Sequence, residues 1–362
     1  MFRFLLKPIS WIYRFVMSVR NFLYSSHVFK SVEFNIPVIS VGNLTVGGTG
    51  KTPHTEYIVN LLKDKFDVTV LSRGYKRKTK GYVEGSEKST VAEIGDEPKQ
   101  MAIKFAGKAK VCVCENRAEG IKQIIKNDSE RNVIVLDDAY QHRSVSPLIN
   151  ILLTDYNRPI YEDHILPYGR LRESAHNSNR ANIIVVTKCP DTLKPIDRRV
   201  ISKHINLLPF QSIFFTNFKY EEPKSVFIDS KSIFFCNRDT EILLITGIAN
   251  PDTIIDYIKT NLSKKITHIN FPDHHNFSDK DIKHIKEIFG NLTANKIIIT
   301  TEKDAVRLNE ISWPEQIQQA MFYLPISLNF VFNDDEEFNK QIIENVTKDK
   351  TNYQLHTTIR QF

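Results

Sequence analysis

A glycine-rich loop carries the residues best suited to chemistry. Residues 41–53 read VGNLTVGGTGKTP, after an apolar run that predicts a strand and before a pattern that predicts a helix. Glycines let amide N–H groups wrap an anion, a lysine reaches the β and γ oxygens of a nucleotide, and the next hydroxyl can ligate Mg²⁺. Thr45 stands at the first glycine of the strict pattern G-x-x-x-x-G-K-[ST], so the loop is closer to the variant form GGxGKT. We therefore predict phosphate binding, rather than a glycine-rich turn without chemistry, by Gly47, Gly48, Thr49, Gly50, Lys51 and Thr52.

Two adjacent aspartates could hold the metal ion of such a site. Asp137 and Asp138 follow the apolar run of residues 133–136, where a strand is expected to leave its sheet. An enzyme with a phosphate-binding loop needs a carboxylate at the end of a neighbouring strand to hold Mg²⁺ or its water. Successive side chains point in different directions, so only one of the two is expected to face the metal directly. Capping of a helix or turn is the alternative reading.

Two further clusters and a basic loop are less specific. Asp96 lies in Gly-Asp-Glu-Pro (95–98), before a helical pattern that it could simply cap. His274 lies in Asp-His-His (273–275) after a predicted strand; an aspartate and a histidine can polarise a hydroxyl, although surface histidine pairs are common. Arg73 begins a basic loop of residues 73–80. Such loops are usually only solvated, but beside a nucleotide site this one could hold an anionic substrate or a lipid headgroup.

The composition is that of a globular protein with an anionic partner. The chain has 362 residues, of which 41% are hydrophobic and 25% charged, which excludes a disordered or fibrous protein. The formal net charge of +7 fits a nucleotide, a phosphorylated substrate or an acidic membrane surface. Nucleic acid is disfavoured, because the basic residues are not interleaved with stacking aromatics. No obligate protein partner is indicated.

The N-terminal segment, residues 1–30, predicts an amphipathic helix. It lacks the cleavage site of a secretory signal, and charged residues interrupt it too often for a membrane span. Polar residues at steps of three and four share one face, namely Arg3, Lys7, Ser10, Arg14, Ser18 and Asn21. A wide apolar arc covers the rest and includes Phe2, Phe4, Leu5, Trp11 and Phe15. The pattern suits a helix lying in a bilayer interface, or a terminal helix docked on the protein's own core.

Short β-branched runs alternate with helical patterns, which predicts a doubly wound α/β fold of the P-loop NTPase type with a second, smaller α/β domain. The first series of strands lies within residues 31–216, the predicted phosphate-binding domain. A break with two extended segments at residues 217–237 is the predicted linker. Residues 238–362 are the predicted smaller domain with a charged C-terminal helix.

In combination, these motifs resemble the tetraacyldisaccharide 4'-kinase (lipid A 4'-kinase) family of Gram-negative bacteria. The likeness runs from the basic N-terminal helix to about residue 310. Besides the motifs above, it rests on Leu-Ser-Arg-Gly-Tyr (71–75), Asp-Asp-Ala-Tyr-Gln-His-Arg (137–143), Leu-Pro-Tyr-Gly-Arg-Leu-Arg-Glu (166–173) and Thr-Glu-Lys-Asp (301–304). The chain departs from the family pattern at Ala139, Tyr140, Tyr168, Arg170 and Ser174, positions that bear on acceptor contacts.

The resemblance implies transfer of the ATP γ-phosphoryl to the 4'-hydroxyl of a tetraacylated glucosamine disaccharide 1-phosphate. This lipid would be met at the cytosolic face of the inner membrane, to which the protein would be peripheral or monotopic. By the same likeness, Asp96 and His274 would activate the acceptor hydroxyl between two lobes, and Asp137 and Asp138 would manage Mg²⁺. Supporting site residues would be Arg117, Gln141, His142, Arg172 and Glu173.

Two other functions fit part of the pattern. A variant P-loop GTPase or ATPase acting in assembly or metal delivery would need no hydroxyl acceptor. Such proteins commonly carry a lysine just before the two glycines, where this chain has Val46. A nucleotide-sensing membrane module without catalysis is the second alternative, which Lys51, Thr52 and Asp137 disfavour.

Overall fold

The computed structural model describes residues 6–128, 132–227, 232–293 and 295–359, with the side chains of residues 350–359 left out. Over these residues the strands, in chain order, are β1 (Val38–Asn43), β2 (Val68–Ser72), β3 (Val83–Gly85), β4 (Lys110–Val113), β5 (Val133–Asp137), β6 (Ile149–Asp155), β7 (Ile183–Thr187), β8 (Ser212–Tyr220), β9 (Lys224–Ser225), β10 (Glu241–Thr246), β11 (Ile266–Asn270), β12 (Lys296–Thr301), β13 (Met321–Leu324) and β14 (Ile326–Phe330). The α-helices are α1 (Leu6–Ser25), α2 (Lys51–Leu62), α3 (Val91–Ile94), α4 (Asp96–Lys104), α5 (Arg117–Asn127), α6 (Pro195–Ile205), α7 (Asp252–Asn261), α8 (Asp279–Asn291), α9 (Glu302–Asn309), α10 (Glu315–Ala320) and α11 (Asp335–Ile359).

The larger lobe is built on a mostly parallel sheet. In the described part of the chain its order is β14-β8-β7-β6-β1-β5-β2-β4-β3. Only β14 and β3 run antiparallel to their neighbours. Adjacent residues of the central strands point to opposite faces of the sheet and belong to different hydrophobic clusters, because both faces are covered. The predicted doubly wound α/β fold is confirmed, and the predicted strand at residues 183–187 matches β7 at both ends.

The smaller lobe has its own sheet and cores. The strand order is β11-β10-β12-β13-β9, parallel except for β9. Hydrophobic clusters lie around this sheet, one with Phe289 and Trp313 and one with Ile258 and Phe322. The second, smaller α/β unit is therefore present.

The C-terminal residues correct the predicted domain division. Strand β14 pairs with β8 of the larger sheet, and Phe338, Ile342 and Val346 of α11 are buried in the larger lobe's core. Their spacing of four residues makes one apolar stripe on a helix whose other residues are mostly polar. The assignment of residues 238–362 to the smaller domain is therefore wrong beyond β13. The predicted linker at residues 217–237 is also displaced, because β8 continues to Tyr220 before the chain enters β9.

Helix α1 packs on the larger lobe through polar residues. Ser10 donates a hydrogen bond to the Ile165 carbonyl at 3.1 Å, and Asn21 donates to Glu173 at 3.0 Å. Its apolar side faces outward, with Trp11 69% and Phe15 70% exposed. The reading in which this helix docks on the protein through its apolar face is therefore wrong. Of the predicted face residues, Phe2, Arg3, Phe4 and Leu5 lie outside the described residues. Within those described, no helix is both long and apolar enough to cross a bilayer.

Candidate active site

The glycine-rich loop connects β1 to α2 and forms an open cradle. Gly50 is the N-cap of α2 in the left-handed conformation, with φ 83°, and Gly47 has φ 113°. Atoms added at the Cβ positions of Gly47 or Gly48 would meet nothing within 4 Å, so the loop is open at these two residues. The amide groups at the start of the twelve-residue helix α2 are free of intrahelical partners and favour an anion.

Buried polar side chains fix the shape of this loop. The Asn43 amide donates to the Thr49 hydroxyl at 2.7 Å. His54 lies 2.7 Å from the Gly50 carbonyl through Nδ1 and 3.1 Å from the Thr216 hydroxyl through Nε2. Burial lowers the pKa of His54 to about 4, so the neutral ring donates from Nδ1 to the carbonyl and accepts from Thr216. The Phe218 ring closes the other side, where a Cβ on Gly50 would lie 2.4 Å from its Cζ atom.

The two aspartates after β5 face different surroundings. Asp138 has φ 47°, and its Oδ1 lies 3.6 Å from Lys51 Nζ and 3.4 Å from Arg172 Nη1. Burial opposes ionisation of Asp138, but these two cations hold the pKa of its carboxyl below the ordinary value. Asp137 is more deeply buried, accepting from Thr55 at 3.1 Å and from Ser72 at 3.2 Å. Burial, with the nearby charges of Glu97 and Asp138, raises the pKa of Asp137 to about 6.

These residues fit a magnesium ion that a nucleotide helps to hold. The register places Val41 of β1 beside Asp137 of β5, so both aspartates lie at the edge where the loop begins. No group of three or more histidine, cysteine or acidic residues that could cage a metal occurs within the described ranges. A kinase ion of this type needs only a loop hydroxyl, here that of Thr52, a strand-end carboxylate and phosphate oxygens.

The predicted substrate residues divide into exposed and supporting groups. Arg172 donates to Gln141 at 3.1 Å, and Gln141 donates to the Asn43 carbonyl at 2.7 Å. Arg73 is exposed on the loop after β2. Burial, followed by the charge of Arg117, lowers the pKa of His142 to about 4. Arg172 and Gln141 are thus connected to the strand end before the loop, and the charge of Arg73 acts on His142.

Arg117 and Glu173 are buried residues that support the elements around the site. Arg117 is fully buried and donates to the carbonyls of Cys114 at 2.7 Å and Asp137 at 3.1 Å, which fixes the turn after β5. Glu173 is also fully buried, and it accepts from Arg180 at 2.7 Å and from Asn21 of α1. Its contacts therefore attach the N-terminal helix to the larger lobe.

The second predicted pair forms between the lobes. His274 Nδ1 lies 2.6 Å from Asp96 Oδ2, although the two residues are 178 positions apart. Asp96 begins α4 in the larger lobe, and His274 follows β11 in the smaller one, with φ 61°. Burial raises the pKa of Asp96, but the hydrogen bond from His274 and the charge of Arg307 outweigh it and lower the pKa overall.

Sequence reasoning quoted Lys303 only as part of a family motif and missed Arg307, and the structure brings both to this pair. Lys303 Nζ lies 3.0 Å from His274 Nε2, and Arg307 contacts both oxygens of Asp96. A signal was available: the two cations are four residues apart after Thr301, a helix-capping residue, so they share a helix face. Asn43, His54 and Phe218 carried no comparable signal, because only the folded loop brings them together.

Comparisons with known proteins agree on one family. The family model for tetraacyldisaccharide-1-P 4'-kinase matches residues 2–347. A tetraacyldisaccharide 4'-kinase from Bacteroides thetaiotaomicron is 45% identical over 361 residues, covering 96% of this chain and 94% of that relative. Another, from Flavobacterium johnsoniae, is 41% identical over 343 residues, covering 94% of this chain and 96% of the relative.

A solved structure supports the same conclusion. A crystal structure of LpxK from Aquifex aeolicus, described as an "apo" form in complex with ATP, has a TM-score of 0.75 to this chain at 29% identity. The match covers 96% of this chain and 99% of the other. The resemblance based on the sequence motifs is thus confirmed, and the chain belongs to the tetraacyldisaccharide-1-P 4'-kinase family.

Proposed function

We propose that this protein transfers the γ-phosphoryl group of ATP to the 4'-hydroxyl of a tetraacylated glucosamine disaccharide 1-phosphate, a step of lipid A biosynthesis. One observation carries the proposal: the contact of Asp96 with His274 across the two lobes. A protein that only hydrolyses or senses a nucleotide has no need of such a pair, whereas a kinase must activate a hydroxyl acceptor. The names of the relatives identify the acceptor class.

The triphosphate binds in the glycine-rich loop. The open positions Gly47 and Gly48, followed by Thr49 and Gly50, offer amide donors, and Lys51 neutralises the β and γ oxygens. Thr52, Asp137 and Asp138 are the residues that would hold Mg²⁺ beside the phosphates. The ion supplies charge neutralisation at the transferring group, while these residues align the γ-phosphoryl.

The acceptor lipid is held beside this loop. Arg73 and Arg172 offer cationic groups to the anionic disaccharide, with Gln141 and His142 next to them. Arg117 and Glu173 act indirectly. Arg117 supports the turn after β5, and Glu173 holds α1 in place. The hydrogen-bonded pair of Asp96 and His274 then takes the proton of the attacking hydroxyl.

The N-terminal helix brings the site to its substrate. Its outward apolar side chains, which include Trp11 and Phe15, suit burial in the interface of the cytoplasmic face of the inner membrane. A peripheral protein held in this way meets the acyl chains of its acceptor without a membrane span. Support comes from the attachment of α1 by Glu173, a neighbour of Arg172.

The test is a transfer assay with purified protein, Mg-ATP and detergent-dispersed disaccharide 1-phosphate. We expect a lipid that gains one phosphate, and no product from a Lys51→Met variant of unchanged circular dichroism. Asp96→Ala and His274→Ala should lower kcat by at least about 100-fold while leaving the Kd for ATP within about twofold. Loss of ATP without a phosphorylated lipid would favour the variant ATPase or GTPase instead.

A further inference from the structure

The buried side chains of α1 both bind one short segment of the larger lobe. They are Ser10 and Asn21, each 7% exposed, and their separation of about three helical turns puts them on one face of the helix. Ser10 accepts from the Tyr168 amide at 2.9 Å and donates to the Ile165 carbonyl at 3.1 Å. Asn21 donates to the Glu173 carboxylate at 3.0 Å. The helix is therefore fixed at two points to the same stretch of chain.

Residues 165–173, which we call the bridging segment, also pair with the start of the glycine-rich loop. The Arg172 amide donates to the Leu44 carbonyl at 2.7 Å, and the Val46 amide donates to the Arg170 carbonyl at 2.8 Å. These two hydrogen bonds flank an antiparallel bridge between the two stretches of backbone. The first part of the loop is therefore held in a short ladder, and the bridging segment lies between that ladder and α1.

Glu173 fixes the end of the bridging segment in the interior. Its carboxylate is fully buried, and Oε2 accepts from Asn177 at 3.0 Å and from Arg180 at 2.7 Å, besides Asn21. A buried carboxylate needs such donors, because an unpaired charge away from water is costly. Asn177 and Arg180 belong to the turn that follows the segment, whereas Asn21 comes from α1. The helix therefore takes part in setting where Glu173, and its neighbour Arg172, lie.

A second set of contacts joins α1 to the turn after β5. Arg20 donates to the Gln141 carbonyl at 2.8 Å, and Arg143 donates to the Asn21 carbonyl at 2.6 Å. The Gln141 side chain in turn donates to the carbonyl of Asn43, the last residue of β1 before the loop. Both stretches of chain that hold the start of the glycine-rich loop are thus hydrogen-bonded to α1.

We propose that Ser10 and Asn21 are positioning residues, through which α1 holds the glycine-rich loop in the geometry that binds the triphosphate. The helix then has two separate functions: its apolar face meets the membrane, and its polar face supports the loop. A membrane anchor could be attached by apolar contacts alone, whereas hydrogen bonds fix distance and direction. This inference rests on the proposed function and deepens it, because it concerns the loop that binds ATP in that proposal.

The first test measures hydrogen exchange in nucleotide-free protein. In the double variant Ser10→Ala with Asn21→Leu, the amides of Val46 and Arg172, called the ladder amides, should exchange at least about tenfold faster than in the wild type. The amides of the buried strand β7 should keep their wild-type rates, because the loss is local. Wild-type exchange at both ladder amides in the folded variant would overturn the inference. The measurement needs neither ATP nor lipid, so it is decided even if the proposed function fails.

The matched control carries the same two substitutions at exposed positions. Ser18 lies on α1, and Asn345 lies on α11, where its side chain donates to a carbonyl of its own helix at 2.7 Å. Ser18→Ala with Asn345→Leu should leave the exchange of the ladder amides unchanged. Ser10→Ala alone serves if the double variant does not fold, because it removes two hydrogen bonds without adding a large apolar side chain. It should speed the exchange of the ladder amides about threefold, and an unchanged rate would overturn the inference.

Nucleotide affinity separates positioning from membrane anchoring. Calorimetry with Mg²⁺ and a non-hydrolysable ATP analogue, without lipid, should give Ser10→Ala with Asn21→Leu a Kd raised about five- to tenfold, the effect of one or two lost hydrogen bonds. Its vesicle binding should stay within about twofold of the wild-type value, since the exposed apolar face is unchanged. Weaker vesicle binding with wild-type exchange and nucleotide affinity would overturn the inference. A wild type that binds the analogue but never phosphorylates lipid would reject the proposed function, while the exchange result stands.

Discussion

At the scale of single residues, the glycines of the phosphate-binding loop differ in how closely other atoms pack against them. Gly50 has a positive φ and the Phe218 ring against it, whereas Gly48 faces open space with an ordinary φ. Two glycines of one loop therefore differ in what they tolerate. The open positions leave room for a phosphate, and the crowded one fixes where α2 begins.

We expect Gly50→Ala to lower the free energy of unfolding by about 1–2 kcal/mol, because its Cβ would meet Phe218 in a left-handed conformation. Gly48→Ala is the matched control and should cost less than about 0.5 kcal/mol. Urea unfolding followed by circular dichroism measures both. Equal losses in the two variants would contradict the role assigned to the Phe218 contact.

His54 makes the loop sensitive to acid. The folded-state pKa of about 4 is below the unfolded value, so His54 contributes stability above about pH 6.5 that is lost as the pH falls towards 4. Between pH 7 and pH 5 this amounts to about 2 kcal/mol. His54→Gln should therefore be less stable than the wild type at pH 7 but lose less stability on acidification, in unfolding curves at the two pH values. Parallel losses in both proteins would refute the assignment.

At the scale of elements, α1 packs on the protein through its polar face, which is the opposite of what a core helix does. The polar side chains of Ser10 and Asn21 are its buried ones, and large apolar side chains are exposed. The periodicity of the sequence located the helix but could not say which face was covered. That choice is made by distant partners such as Glu173 and Ile165, which the sequence does not place beside it.

The outward face of α1 should bind membranes. Replacing both Trp11 and Phe15 by serine removes two large apolar side chains, each worth about 1.5–3 kcal/mol when buried, so binding should weaken at least about tenfold. Co-sedimentation with vesicles containing anionic lipid measures this. The matched control replaces exposed Ile196 and Val200 of α6 by serine and should leave binding unchanged. Equal weakening in both double variants would contradict membrane binding through α1.

At the scale of the whole molecule, the two lobes meet through charges beyond the Asp96–His274 pair. Lys104 of α4 contacts Glu56 of α2 at 2.7 Å and Glu302 of α9 at 2.9 Å, so one ammonium bridges both lobes. Burial, together with Glu302, raises the pKa of Glu56 to about 7 despite Lys104. Glu302 directly precedes Lys303 in the chain, so this contact between the lobes adjoins the side chain that contacts His274.

Lys104→Met should destabilise the protein more at high pH than at low pH. The folded-state pKa of Glu56 is raised, so its contribution is fully present below about pH 4.5 and is lost as the pH rises through about 7. Without Lys104 the ionised Glu56 and Glu302 repel, and we expect a loss of about 2–3 kcal/mol at pH 8 that shrinks at pH 5.5.

Thermal unfolding at the two pH values tests this, with Lys348→Met as control. Lys348 pairs with Glu344 at 3.3 Å on the exposed side of α11 and should contribute less than about 0.5 kcal/mol at either pH. A Lys104→Met loss that is independent of pH would contradict the charged bridge.

Much of this architecture follows from local sequence, and the exceptions share one cause. Runs such as residues 183–187, and the loop before α2, carry their own signals, so the α/β fold and the phosphate-binding loop were predictable. The return of β14 to β8, and the pairing of Lys303 and Arg307 with the Asp96–His274 pair, depend on contacts between residues far apart in the chain. The pair of Asp96 with His274 was reached by family resemblance, because either residue alone has an ordinary structural explanation.

The most direct test of the account is to locate the transferred phosphate. Purified protein with ATP labelled at the γ-phosphorus should label the disaccharide 1-phosphate lipid, and NMR of the product should place the new phosphate on the 4'-oxygen. An acceptor that lacks the 4'-hydroxyl should receive none. Label released only as inorganic phosphate, or transferred equally to the acceptor without that hydroxyl, would contradict the account.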